Sequence, residues 1–260
     1  MSEPIQKAVI LAAGMGTRLM PITSQMPKSL TEVNGKPLLD NTLEELQKAG
    51  ISDCAIIVGY LKEAIMKRYG SAFGPMKVTY IESEVYRTTN SMYSTWLGRE
   101  YLAEGSLLIE ADCIFGPDVL KAVFAMGASR SCWAGVRFTP DITGSMMVTD
   151  PSGRIVELRV VKQKLDEYRA NYFKSGGVLL LHADFGKALG RWLGDDVGAG
   201  KTGTWFEQVI ARHYEESPIS ICDITGLPWY EIDDLNDLRR AEEIFRFDQS
   251  TAGMAVTERS

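Results

Sequence analysis

The sequence predicts an α/β fold with a mixed, mostly parallel sheet flanked by helices. Three observations carry this. Strand-like and helical segments alternate over about the first 125 residues, the order that builds a parallel sheet covered on both faces. The strand-like runs, such as Val9-Ile10-Leu11, are continuously apolar rather than alternating, as in strands buried on both sides. The chain has 260 residues, 45% apolar and 24% charged, which suits one large domain with a core of its own.

The elements follow in order. Val9-Ile10-Leu11 runs into Ala12-Ala13-Gly14, a strand entering a glycine-rich loop. Residues 37–49 read as a helix with Pro37 at its start, Leu38, Leu39, Leu43 and Leu46 near helical spacing, and Gly50 at its end. A second strand covers 54–58, a helix 61–69 closes at Gly70, and a third strand covers 77–81. Asn90 is a good N-cap for a helix reaching about residue 103. Leu107-Leu108-Ile109 is the fourth strand, followed by a helix over 117–126. Beyond it, strands are expected at 132–138, 145–149 and 154–160, the last two joined by the turn Asp150-Pro151-Ser152-Gly153 as a hairpin. A strand at 177–181, helices at 183–193 and 204–214, and a short strand at 219–221 follow. Asp233 or Asp234 caps a closing helix through about residue 247. We therefore expect a single domain over 1–248 and a fraying, polar tail over 249–260.

Charge and composition exclude several functions. The net charge of −6 lacks the basic footprint of a nucleic-acid binder. Only two histidines are present, His182 and His213, too few for a His-rich zinc site. Cys54, Cys113, Cys132 and Cys222 have no metal-finger spacing and read as reduced structural thiols. There is no run of about 20 apolar residues to span a membrane, and the first apolar run is too short for a signal core, so a cytoplasmic protein is expected.

The chemistry starts in the loop Leu11-Ala12-Ala13-Gly14-Met15-Gly16-Thr17-Arg18-Leu19. Its glycines let backbone N–H groups approach phosphate oxygens with no Cβ in the way. Ala12 and Ala13 keep the strand end thin enough for a flat base. Arg18 offers a fork of donors to a polyphosphate, and Lys28, in Pro27-Lys28-Ser29-Leu30, adds a point charge. The loop is neither a Walker A loop nor a dinucleotide fingerprint, because Thr17 stands where the first needs Lys and Leu19 where the second needs Gly.

Taken whole, that loop, then Pro21 and Thr23, then Pro-Lys-Ser-Leu, then Asn34-Gly35-Lys36-Pro37-Leu38, resembles the nucleotidyltransferase family. The resemblance implies a Rossmann-like fold. It also implies an enzyme that transfers a nucleotidyl group from a nucleoside triphosphate to a phosphorylated acceptor and releases pyrophosphate. Leu11 to Arg18, with Lys28 and Asn90, would bind the nucleotide, Arg18 and Lys28 neutralising charge on its α- and β-phosphates.

Such chemistry needs Mg²⁺, held by carboxylates and phosphate oxygens. Asp112 lies just past the fourth strand, where open α/β sheets bind ligands, and Glu110 shares its side of the extended chain. A helix cap is the other reading of Asp112. In Trp229-Tyr230-Glu231-Ile232-Asp233-Asp234, Glu231 and Asp233 share one face, and the cap is again the competing reading. The resemblance assigns the metal to Asp112 and Asp233. The attacking oxygen is anionic at neutral pH, so no catalytic histidine is required.

The donor and acceptor rest on finer likeness. Thr89-Asn90-Ser91-Met92-Tyr93-Ser94, 109–113, 174–178, 230–233 and 238–244 resemble stretches of bacterial phosphocholine cytidylyltransferases, which implies CTP as donor. A quaternary ammonium would want an aromatic cage with a carboxylate, for which Glu231, Trp133, Tyr172, Trp229 and Tyr230 are available. Gly144-Ser145-Met146-Met147 lacks an aromatic that the phosphocholine enzymes tend to have, so the reading favours 2-aminoethylphosphonate. Glu231 is then expected at its amine, and Lys174, Lys162 or Lys164 at its phosphoryl group, Lys174 first. Sugar-1-phosphate nucleotidylyltransfer and an inactive nucleotide-binding regulatory module are the alternatives. The family allows a monomer or a homodimer.

Overall fold

The computed structural model describes residues 4–139, 142–161 and 169–246, and structural statements below concern these. The expected tail over 249–260, the end of the closing helix at residue 247, Lys162 and Lys164 lie outside them. The strands are β1 (Lys7–Ala12), β2 (Glu32–Val33), β3 (Lys36–Pro37), β4 (Asp53–Val58), β5 (Ala72–Phe73), β6 (Met76–Glu82), β7 (Ser106–Glu110), β8 (Cys113–Phe115), β9 (Cys132–Arg137), β10 (Gly144–Thr149), β11 (Ile155–Val161), β12 (Tyr172–Leu181), β13 (Ser220–Asp223) and β14 (Trp229–Glu231). The helices are α1 (Leu38–Lys48), α2 (Lys62–Tyr69), α3 (Ser91–Leu97), α4 (Arg99–Ala103), α5 (Pro117–Gly127), α6 (Ala183–Gly198), α7 (Phe206–Ala211) and α8 (Leu235–Ile244).

One mixed sheet organises them, in the order β11-β10-β12-β7-β1-β4-β6-β5, with β9 paired to β12 and β13. Its centre, β7-β1-β4-β6, is parallel. The antiparallel β12 joins this centre to the hairpin β10–β11, and the expected turn at Asp150 closes the hairpin. Successive residues of β1 point to opposite faces. Ala8, Ile10 and Ala12 pack among Leu39, Leu43, Leu46, Val119 and Val123, under α1 and α5. Val9 packs on the other face among Met92, Leu102, Phe185, Leu189 and Phe206, under α3, α4, α6 and α7. That double burial is why the strand reads as a continuous apolar run.

The helix expected over 90–103 is two helices broken at Gly98. A Cβ there would lie 2.8 Å from Val9 Cγ1, so only glycine lets the backbone pass this close to β1. Helix α6 runs five residues beyond its expected end at 193, while α7 is shorter than the expected 204–214. Strand β12 starts five residues before its expected 177, and it carries an irregularity between Ser175 and Leu179.

Strands β1 and β4 continue outward in one direction and β7 in the other, so the topology reverses between β1 and β7. Open α/β sheets bind ligands outside the carboxyl ends of strands at such a point. Here β1 ends in the glycine-rich loop and Asp112 follows two residues after the end of β7, with Ala111 N donating to Leu11 O at 3.2 Å.

Candidate active site

A cleft of about 1040 Å³ opens at this reversal. The residues expected to bind nucleotide and metal line it, Leu11 to Arg18, Lys28, Asn90, Asp112 and Asp233, as do Lys174 and Glu231 of those expected at the acceptor. Ligand pockets typically span roughly 300–1,000 Å³, so this one has room for two small molecules side by side.

The two glycines of the loop do different work. Gly16 has φ +59°, and a Cβ there would lie 2.8 Å from Lys28 Cβ and 3.2 Å from Thr23 Cγ2. Its carbonyl accepts from Thr23 Oγ1 at 2.8 Å, so the loop is pinned to the segment carrying Lys28. Gly14 is exposed to the cleft and has nothing within 4 Å of an added Cβ. It leaves a bare stretch of backbone facing open space, the cradle a polyphosphate requires.

Lys28 sits between two carboxylates, with its Nζ donating to Asp112 Oδ2 at 2.7 Å and Asp233 Oδ1 at 2.8 Å. Burial disfavours its charge, but the two carboxylates win and hold its pKa above the ordinary lysine value. Arg18, 71% exposed, reaches Asp233 Oδ1 at 2.7 Å. Burial works to raise the Asp233 pKa, but Lys28 and Arg18 keep it low.

A three-residue ladder explains how residues 121 positions apart meet. Strand β14 runs antiparallel to β8, with Glu231 opposite Cys113, and Ile232 N donates to Asp112 O at 2.9 Å. Asp112, Glu231 and Asp233 each place a carboxylate oxygen within 4.8 Å of the others. Neither aspartate caps a helix: α5 begins at Pro117 behind Gly116, and Asp234 caps α8 by accepting from Asn236 N and Asp237 N at 2.7 and 3.0 Å. Oxygen donors of this kind suit a hard divalent cation such as Mg²⁺.

Glu231 also pairs with Lys174, at 2.6 Å between Oε2 and Nζ, and Lys174 donates to Thr143 O at 3.0 Å. Burial and the neighbouring aspartates push the Glu231 carboxyl up against the pull of Lys174. Gly144, at φ +114°, makes room for the lysine, since a Cβ there would lie 2.6 Å from its Nζ. Asn90 caps α3, its Oδ1 accepting from Ser91 N at 2.8 Å.

The aromatics divide. Trp229 and Tyr230 line the cleft, but Trp133 is fully buried and donates from Nε1 to Ser175 Oγ at 3.0 Å. Tyr172 packs at the hairpin away from the cleft. Sequence reading missed Trp205, Tyr86, Ser145 and Glu207 in the cleft wall. Glu207 had a signal: it lies three residues before Ile210, on the face by which α7 enters the core.

A nucleotidyl transferase family model matches residues 7–140. The CMP-5'-(3-aminopropyl)phosphonate synthase of Streptomyces rubellomurinus is 29% identical over 93% of this chain, which spans only 38% of that protein's length. The choline-phosphate cytidylyltransferase of Streptococcus pneumoniae is 30% identical over 92% of this chain and 98% of its own. The 2-aminoethylphosphonate cytidylyltransferase of Lancefieldella rimae is 30% identical over 89% of both chains. Among solved structures, CTP:phosphocholine cytidylyltransferase from Streptococcus pneumoniae superposes with a TM-score of 0.76 at 28% identity, over 92% of this chain and 98% of that one.

Proposed function

This chain belongs to the nucleotidyl transferase family, and we propose that it is a Mg²⁺-dependent cytidylyltransferase that joins CTP to a small aminoalkyl phosphonate or phosphate, 2-aminoethylphosphonate first, and releases pyrophosphate. One observation carries the reading: the open backbone at Gly14, the cations Arg18 and Lys28, and the carboxylates of Asp112, Glu231 and Asp233 face one cleft at the sheet's reversal point.

The acceptor's phosphonate oxygen attacks the α-phosphorus of CTP in line. The new P–O bond forms as the bond to the β-phosphate oxygen breaks, and pyrophosphate leaves. The backbone from Gly14 to Thr17 cradles the phosphates. Lys28 stays charged throughout, because the aspartates beside it stabilise its ammonium, and with Arg18 it offsets negative charge that builds on the leaving oxygens. Asp112 and Asp233 are the residues that would hold Mg²⁺, which when bound polarises phosphoryl oxygens. Lys174, fixed by Glu231 and the Thr143 carbonyl, presents its ammonium to the acceptor's phosphonate. Glu231 thus reaches the acceptor through the lysine. The attacking oxygen is already anionic and needs no base. Such an enzyme works in the cytoplasm, where CTP is made, and as a monomer or a homodimer.

The test is pyrophosphate release from CTP and Mg²⁺ with 2-aminoethylphosphonate, phosphoethanolamine, phosphocholine and glucose-1-phosphate. Turnover with an aminated acceptor is the expected result. Turnover with the sugar phosphate alone overturns the acceptor assignment, and CTP binding with no turnover on any acceptor returns the chain to a regulatory module.

A further inference from the structure

We infer that Glu207 reads the acceptor's amino group, and that the cleft is built for a primary ammonium rather than a trimethylammonium. The inference rests on the acceptor class proposed above and goes further, by naming the residue that selects within it.

Glu207 lies in the first turn of α7 and is only 6% exposed, yet it forms part of the cleft wall. Its Oε1 accepts from Ser145 Oγ at 3.2 Å. Its Oε2 is buried and has no hydrogen-bond partner. A buried carboxylate oxygen without a donor is costly, and native proteins rarely leave one unless something arrives to satisfy it. Nor does any lysine or arginine pair with Glu207 among the described residues, although Lys28, Lys174 and Arg18 all pair with other carboxylates of the same cleft.

Position supports a role at the acceptor. Ser145 adjoins Gly144, the residue against which the Lys174 ammonium rests. Glu207 feels the charge of Glu231, whose Oε2 lies 2.6 Å from the Lys174 Nζ, so a molecule whose phosphonate meets Lys174 has Glu207 on the same stretch of cleft wall. Glu110, at the end of β7, faces the same wall, and its charge and that of Glu207 repel each other. Burial and that repulsion push the Glu110 carboxyl well up, and a cation entering beside the pair would favour their charged forms. Burial, with charge from Glu231 and Asp112, pushes the Glu207 carboxyl up to about 7 against the bonds from its own backbone N–H and from Ser145, and a cation beside it would draw it back down.

The choice between ammonium types follows from donor count. A primary ammonium carries three N–H donors and satisfies Oε2 directly. A trimethylammonium has none and would leave Oε2 desolvated. A site that hydrogen-bonds a substrate N–H discriminates strongly against the analogue lacking it.

The experiment compares CTP-dependent turnover of 2-aminoethylphosphonate, ethylphosphonate, phosphoethanolamine and phosphocholine by the wild-type enzyme and by Glu207→Gln. In the wild type, each primary amine should exceed its counterpart in kcat/KM by about tenfold to a hundredfold. In Glu207→Gln the ratio of 2-aminoethylphosphonate to ethylphosphonate should collapse toward one through KM, with CTP binding as the check on folding. Glu207→Asp, which keeps the charge, should retain part of the preference. A folded Glu207→Gln that keeps the wild-type ratio overturns the inference and leaves the cytidylyltransferase reading intact. So does a wild type that ignores the amine or prefers phosphocholine, a result that stands even if no variant folds. A wild type that turns over none of the four with CTP sinks the cytidylyltransferase reading itself.

Discussion

Alanine at Gly14 and alanine at Gly16 should fail in opposite ways. At Gly16 the backbone has φ +59°, and a left-handed conformation costs an L-residue about 1–2 kcal/mol. The new methyl would also sit 2.8 Å from Lys28 Cβ, close enough that the loop or the lysine segment must move. Overpacking of that kind costs about 1–3 kcal/mol more. The sum, about 2–5 kcal/mol, corresponds to a fall in Tm of roughly 4–20 °C for a domain of this size. Gly14 has no such constraint, since nothing lies within 4 Å of an added Cβ and its φ is not left-handed. Gly14→Ala should therefore unfold at the wild-type temperature or slightly above it, because alanine narrows the unfolded ensemble. Its cost should fall on the nucleotide: the methyl projects into the space proposed for the phosphates and should raise the KM for CTP tenfold or more, about 1.4 kcal/mol. Thermal unfolding and steady-state kinetics on the two variants separate the effects. A Gly14→Ala enzyme with wild-type KM would remove the phosphate cradle from this loop, and a Gly16→Ala enzyme of wild-type Tm would refute the strain argument.

Asp112→Asn and Asp233→Asn should each lower kcat by about a hundredfold or more. Each should also shift the Mg²⁺ dependence of turnover, and a metal titration showing the wild-type profile for either would clear that residue of metal binding. Gly144→Ala should displace the Lys174 ammonium, raising the KM for the acceptor while leaving that for CTP nearly untouched; equal effects on both would mean that Lys174 serves the nucleotide. Stability should also depend on pH through Glu207, whose folded pKa of about 7 exceeds the ordinary 4.5. The folded state then binds this proton more tightly than the unfolded one, so its contribution is complete below about 4.5 and is lost as pH rises through 7. Each tenfold difference in proton affinity is worth about 1.4 kcal/mol, and Glu207→Gln should flatten chemical denaturation midpoints across that window; an unchanged slope would assign it to Glu110 or Glu231.

The parts of this molecule that read clearly from sequence are those with local signals. The glycine loop announces itself by composition, and β1, β4 and β7 by unbroken apolar runs. Asn90 and the turn at Asp150 were legible because their side chains bond backbone within a few residues. What escaped depends on distant neighbours. The junction of α3 and α4 must be glycine because Val9 lies beneath Gly98, which no local pattern reports. Strands β8 and β14 have three residues each, too few for a period, and exist because each finds the other. Glu207 is buried because α7 packs against the core, a contact made far from it in the sequence. Residue type alone does not assign the aspartates in the cleft, because a carboxylate before a helix caps it or does not according to where the helix begins.

The β8–β14 ladder has a consequence for synthesis. Arg18 and Asp233 are partners 215 positions apart. At about 5–20 residues per second, a ribosome delivers the second roughly 10–40 s after the first. In the later part of that interval the growing chain holds the glycine loop, Lys28 and Asp112, but not the carboxylates of Glu231 and Asp233. A half-made copy is therefore a poor consumer of the cell's nucleotide pool, and competence arrives abruptly, when residues 229–231 dock on a strand made more than a hundred residues earlier.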